Sequence, residues 1–236
     1  MKRNYIVSVA MATYNGEKYI KEQLDSILSQ LNIDDELIIS DDGSKDGTID
    51  IINEYMKKDK RIKLFKGPKK GVIKNFENAI SYCSGKYIFL SDQDDIWMDS
   101  KVEKVLFTFN NEKCTCVVHD AMVFNSNSNE IIADSFYKLR KSSNGIIKNI
   151  WKNSYIGCCM AFDGKMKKKI LPIPDGIEMH DQWIGLLNDK YGKSIFIDDK
   201  LLKYRRHGNN VSSLSHHKLL RMIKNRRTII SKIMRG

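Results

Sequence analysis

Three carboxylates, Asp92, Asp94 and Asp95, fall within four positions and follow directly on an apolar run, Tyr87–Leu90. Carboxylates this close repel one another unless a cation or solvent neutralises them. Spaced at i and i+2, they present oxygens to one hard cation. Mg2+ or Mn2+ held by one or two carboxylates and completed by phosphates is the expected pattern. A solvated acidic turn is the competing reading, and for an isolated motif it would win. A second pair, Asp41 and Asp42, follows a second apolar run, Glu36–Ser40, and tips the balance. A carboxylate there can accept a hydrogen bond from a base N–H or a ribose hydroxyl, although Asp-Gly is also an ordinary turn former. Tyr14 ends a third such run, where it can stack on a base or pack in the core.

The elements that position these residues are read from periodicity. Ile6–Met11 is strand-like and ends in Ala-Thr-Tyr-Asn-Gly, a turn. Ile20, Leu24, Ile27 and Leu28 have helical spacing. After the strand Glu36–Ser40, Asp46 or Thr48 caps a helix carrying Ile49, Ile52 and Met56. Ile62–Phe65 is a third strand; Phe76, Ala79, Ile80 and Cys83 mark a helix that stops at Gly85. Tyr87–Leu90 is a fourth strand. This alternation implies βαβ units and a mostly parallel sheet flanked by helices, with ligands at the carboxyl ends of the strands. All three polar clusters stand at such ends. The second half is less regular: Val117–Phe124, Tyr155–Phe162, Ser194–Ile197 and Leu201–Arg205 read as strands, Asp181–Asn188 as a helix, and the polar, basic stretch Lys138–Asn149 as a loop over the site.

At 236 residues, 42% hydrophobic and 29% charged, the chain suits one soluble α/β domain. Its apolar runs are too short to span a membrane, and no secretory signal is expected. Five cysteines form no disulfide framework; Cys114, Cys116, Cys158 and Cys159 are spaced CxC and CC, which argues against zinc. The net charge of +11 is concentrated in residues 217–236, which hold seven Lys or Arg and no acid. There Leu219, Leu220, Ile223, Ile230 and Ile233 repeat at helical intervals. A basic amphipathic helix fits an anionic membrane surface or a helix packed on the domain. No aromatic-basic stacking pattern points to nucleic acid.

Taken together, Val-Ala-Met-Ala-Thr-Tyr-Asn-Gly (9–16), Ser-Asp-Asp-Gly-Ser-Lys-Asp-Gly-Thr (40–48), Gly71 with Lys74-Asn75-Phe76, and Leu-Ser-Asp-Gln-Asp-Asp-Ile-Trp (90–97) resemble the family 2 glycosyltransferases. The likeness is strong over 5–110 and looser to about 215. The Asp-Gln-Asp-Asp-Ile-Trp variant and Tyr-Arg-Arg-His-Gly-Asn-Asn-Val-Ser (204–212) resemble the bacterial rhamnosyltransferase-like branch, which builds surface polysaccharides. The resemblance implies a GT-A fold with a Rossmann-like N-terminal half. It implies an inverting, metal-dependent transfer from a nucleotide diphosphate-sugar, dTDP-rhamnose or a UDP-sugar, to a glycan or lipid-linked hydroxyl. Thr13, Tyr14, Asn15, Asp41, Asp42, Lys74, Asp92, Gln93, Arg205 and Arg206 would contact the nucleotide-sugar. Asp92, Asp94, Asp95 and His207 would hold Mn2+ or Mg2+.

Asp181, in His-Asp-Gln-Trp (180–183), falls at the family's catalytic base. Many relatives have Glu-Asp there, and helix capping is the alternative role. The expected organisation is one domain over 1–215, with 1–110 taking the donor and 111–215 the acceptor, followed by the helix 216–236. The expected location is cytoplasmic or peripheral on the inner membrane face. A sugar-nucleotide pyrophosphorylase would carry a Gly-rich basic signature after the first strand, which Ala-Thr-Tyr-Asn-Gly is not. A non-catalytic protein of this fold stays open.

Overall fold

The computed structural model describes residues 6–143, 145–207 and 219–235. In the first half the strands form where the alternation places them: β1 (Val7–Thr13), β2 (Glu36–Asp41), β3 (Ile62–Lys66) and β4 (Tyr87–Ser91). They pair in parallel in the order β3-β2-β1-β4. β1, β2 and β4 are buried along their whole length, because crossover helices cover both faces. Those helices, Ile20–Leu28, Thr48–Lys58 and Val72–Tyr82, turn Leu24, Ile52, Phe76 and Ile80 into the core.

Beyond β4 the sheet becomes mixed. The remaining strands are β5 (Ile96–Trp97), β6 (Cys116–Asn125), β7 (Ile131–Ala133), β8 (Met160–Asp163) and β9 (Ser194–Arg206). The nine-stranded order is β3-β2-β1-β4-β8-β6-β9-β5, with β7 beside β6. β8 runs antiparallel to both β4 and β6, and β9 runs parallel to β6. β9 also carries β5, so the stretch directly after Asp95 is pinned to the carboxyl-terminal part of β9.

Three expectations change here. Tyr155–Phe162 is not one strand: Gly157–Cys159 is a 3-10 turn, and extended pairing starts only at Met160. The run is apolar because it is buried, and burial alone does not separate strand from turn. The two strands expected at 194–197 and 201–205 are one strand, β9, with one register shift against β6 where Asp198 and Asp199 interrupt the apolar pattern and a second between Lys200 and Lys203. The stretch read as a loop contains two short helices, Phe136–Arg140 and Ile146–Trp151.

The tail is helical from Leu219 to Arg235. Its Ile229 and Ile233 are buried, Arg226 donates to the Trp151 carbonyl, and Lys190 donates to the Ile233 carbonyl. Ile229 and Ile233 are thus covered by the domain, whereas Ile230 and Met234 are exposed. No described helix is long and apolar enough to cross a membrane.

Candidate active site

The carboxyl ends of β2, β1 and β4 lie side by side, and hydrogen bonds stitch them together. Asp42 N–H donates to the Thr13 carbonyl (2.9 Å) on one side of β1. On the other side, the Gln93 carboxamide accepts from Tyr14 N–H (2.9 Å) and donates to the Tyr14 carbonyl (3.0 Å). The approach is so close that a Cβ on Gly16 would meet Gln93 Oε1 at 2.3 Å. β2 and β4 are thus separated by two strand spacings, about 10 Å. Tyr14 stands at this edge with 53% of its surface exposed.

The two acidic turns differ in what their carboxylates do. Asp41 accepts from Thr13 Oγ1 (2.9 Å), Gly43 N–H (2.9 Å), Ser44 N–H (2.8 Å) and Ser44 Oγ (2.5 Å). It is buried and shapes the turn. Asp42 accepts from Lys69 N–H (2.6 Å) and Gly71 N–H (2.8 Å), and so fixes the loop leading into the helix Val72–Tyr82. Asn15, at positive φ, donates through its N–H to Ser44 Oγ and accepts from Lys45 N–H.

Asp92, Asp94 and Asp95 are crowded instead. One oxygen each from Asp92 and Asp95, with Cys158 Sγ, lie within 4.8 Å of one another. Burial, then the charges of Asp94 and Asp181, push Asp92 up to about 7. Burial, with Asp94 and Asp92 beside it, holds Asp95 well above the ordinary carboxylate range. Asp95 is 1% exposed; its Oδ1 accepts from Arg205 N–H, and its Oδ2 has no hydrogen-bond partner among the described residues. Two carboxylates, one with an orphaned buried oxygen, are hard donors that suit a divalent cation, and the Cys158 thiol beside them is a softer neighbour. Asp94 turns outward and pairs with His207 Nε2 at 2.7 Å, the imidazole stacking on Tyr19 at 4.9 Å.

Asp181 opens the helix His180–Tyr191 and is brought to the cluster by the turn Gly157–Cys159. It accepts from Asn153 Nδ2 (3.0 Å), Gln182 N–H (2.5 Å) and Gly157 N–H. Burial raises it to about 6 against those hydrogen bonds. His180, 3% exposed, stacks on Phe76 at 3.9 Å, and burial lowers its imidazole to about 3. A Cβ on Gly157 would meet His180 Nε2 at 2.7 Å, so the turn needs glycine there.

Not every expected residue converges. Lys74 reaches away to the Ile173 carbonyl, Glu77 and Asp175. Arg205 sits under the motif: its Nε donates to the Asp94 carbonyl, it pairs with Glu22, and it stacks on Tyr19 and Phe124. The carbonyl of half-buried Arg206 accepts from Ser126 N–H. Residues outside the motifs join the site: Cys158, Asn153, and Lys101, which is fully buried with its ammonium on the Cys158 carbonyl. Lys101 had one usable signal, its place four residues after Trp97.

Comparison with known proteins agrees with this fold. The model of "Glycosyl transferase family 2" matches residues 8–171. The sequence is 28% identical over 221 residues, 92% of this chain and 84% of the relative, to the Escherichia coli UDP-Glc:alpha-D-GlcNAc-diphosphoundecaprenol beta-1,3-glucosyltransferase WfgD. Among solved structures, S. aureus TarS 1-349 in complex with UDP-GlcNAc superposes with a TM-score of 0.75 at 17% identity, over 98% of this chain and 67% of that one. The Pyrobaculum calidifontis mannosyltransferase PcManGT, in complex with GDP-Man and Mn2+, gives 0.66 at 17% identity, over 99% and 65%.

Proposed function

The chain belongs to glycosyl transferase family 2 and has the GT-A fold, and from that premise we propose that it is a metal-dependent, inverting transferase acting at the cytoplasmic face of the membrane. It moves a sugar from a UDP- or dTDP-linked donor to a hydroxyl of a lipid-linked glycan in bacterial surface polysaccharide synthesis. Residues 1–110 serve the donor and 111–215 the acceptor. The observation that carries this reading is that one turn, Gly157–Cys159, turns its Gly157 amide to Asp181 and its Cys158 thiol to Asp92 and Asp95.

Asp42 and Tyr14 take the base, with Thr13, Asn15 and Asp41 shaping its cradle. Asp92, Asp94 and Asp95, with His207, hold Mn2+ or Mg2+. A bound divalent ion would neutralise the charge that develops on the leaving nucleoside diphosphate. Asp181 accepts the acceptor hydroxyl's proton as that oxygen bonds to the anomeric carbon and the carbon–phosphate oxygen bond breaks. One base and no protein nucleophile give inversion. At a pKa of about 6, Asp181 is ionised at neutral pH yet basic enough to hold the proton. The sugar family of WfgD, whose acceptor is a GlcNAc-diphosphoundecaprenol, supports a lipid-linked acceptor. The Mn2+ bound in PcManGT supports the metal.

The test is a panel of UDP-glucose, UDP-GlcNAc, dTDP-rhamnose and GDP-mannose with Mn2+, read by thermal shift and by release of nucleoside diphosphate. A UDP- or dTDP-sugar should both stabilise the protein and turn over, with turnover lost in EDTA. Stabilisation without turnover means a binding protein; full activity in EDTA defeats the metal. Asp181→Asn should keep the donor-induced shift and lose transfer by about 10²–10⁴-fold; retained transfer removes it as base.

A further inference from the structure

Lys101 is the first residue of the helix Lys101–Asn111 and is 0% exposed. A lysine ammonium out of water is costly unless something replaces its hydration. Lys101 Nζ donates to the Cys158 carbonyl at 2.7 Å and lies 4.1 Å from the centroid of the Trp97 ring. The Sγ of that same Cys158 belongs, with Asp92 and Asp95, to the cluster whose atoms lie within 4.8 Å of one another. One carbonyl and one ring do not offset a buried charge: burial lowers Lys101 to about 8, while Asp95 and Asp92, near enough to act on it without forming an ion pair, pull the other way. They in turn include Asp95 Oδ2, which has no hydrogen-bond partner among the described residues. The other charged groups facing the cluster are Asp94, with His207 on it, and Asp181. Arg205 approaches from β9, with its guanidinium paired to Glu22.

From this arrangement we infer that Lys101 is a built-in counter-cation for the acidic cluster, holding Asp92 and Asp95 together before any metal enters and keeping the bare site's affinity for a divalent ion low. A fixed positive charge beneath the carboxylates repels an entering cation. The diphosphate of the donor restores the missing negative charge, so metal and donor are taken up together. Lys101 is a positioning residue: it acts through Asp92 and Asp95 and touches no reacting atom. The inference rests on the proposed metal role of those acids for its second half only.

Two measurements test it. In EDTA, at one slightly alkaline pH, Lys101→Met should lower the melting temperature, and much less so in an Asp95→Asn background, because the charge it compensates is gone. An equal loss in both backgrounds makes Lys101 a packing residue and overturns the inference. With Mn2+ alone and no nucleotide, Lys101→Met should bind at least about tenfold more tightly than the unaltered protein, the effect of removing one nearby unit charge. Unchanged or weaker binding overturns the claim on affinity. Lys101→Gln keeps a donor for the Cys158 carbonyl without the charge. It should match Lys101→Met in Mn2+ affinity, and wild-type behaviour would assign the role to the hydrogen bond instead. If neither protein binds Mn2+ even with UDP present, the metal reading fails, while the EDTA coupling to Asp95 still decides the counter-charge.

Discussion

Asp41-Asp42 and Asp92–Asp95 both end parallel strands that flank β1, yet one turn is finished and the other is not. Four donors from Thr13, Gly43 and Ser44 surround Asp41, and two amides hold Asp42. In the second turn the acids face one another, and burial with mutual repulsion drives Asp92 and Asp95 upward. A carboxylate surrounded by amide and hydroxyl donors, as Asp41 is, is architecture, while Asp42, with one amide on each oxygen, keeps lone pairs to offer a base. A group of buried carboxylates short of donors is a site prepared for a cation. The same residue type at equivalent places in the fold takes two roles, set by how many N–H and O–H groups the neighbouring backbone turns toward it.

The largest effect that separates the turns is on turnover. Asp94→Ala should lower metal-dependent release of nucleoside diphosphate by about 10²–10³-fold, the range for losing one group that stabilises developing charge. Its melting temperature in EDTA should hardly fall. A variant that keeps activity would make the second turn as structural as the first. Next comes stability: Asp41→Ala strands buried donors and should cost about 1–3 kcal/mol, read by urea melts. An unchanged midpoint would show that the turn closes without it.

The third effect is a slope. Asp92 rises from an ordinary 3.8 to about 7 in the folded protein, so between those values the native state binds more protons than the unfolded one. Metal-free stability should therefore fall as pH is raised from about 4 to about 7. Asp92→Asn should flatten that fall, which melts across the range in EDTA would detect. A slope unaffected by the substitution would remove the crowding argument.

How much was legible follows from distance along the chain. β1 to β4 and the acids after them came out of periodicity, because each strand, turn and helix is specified by contiguous residues. Asp41 and Asp42 could not be told apart, since which of them the loop amides reach depends on Lys69 and Gly71, some thirty residues on. Trouble began at Tyr155–Phe162, where a buried apolar run was expected to be extended. It breaks at Gly157 because that amide must meet Asp181 and the His180 ring leaves no room for a Cβ. Arg205, expected at the leaving group, proved to brace the Asp94 carbonyl from beneath.

The sequence by itself determined the alternation of strands and helices, the acidic strand ends and the family they belong to, all properties of short contiguous segments. Tertiary structure decided which acids keep free oxygens, which turn carries Asp181 to them, and that a lysine without water stands under the cluster. Those outcomes depend on burial and on donors and charges arriving from remote segments, and neither is encoded at the position it acts on.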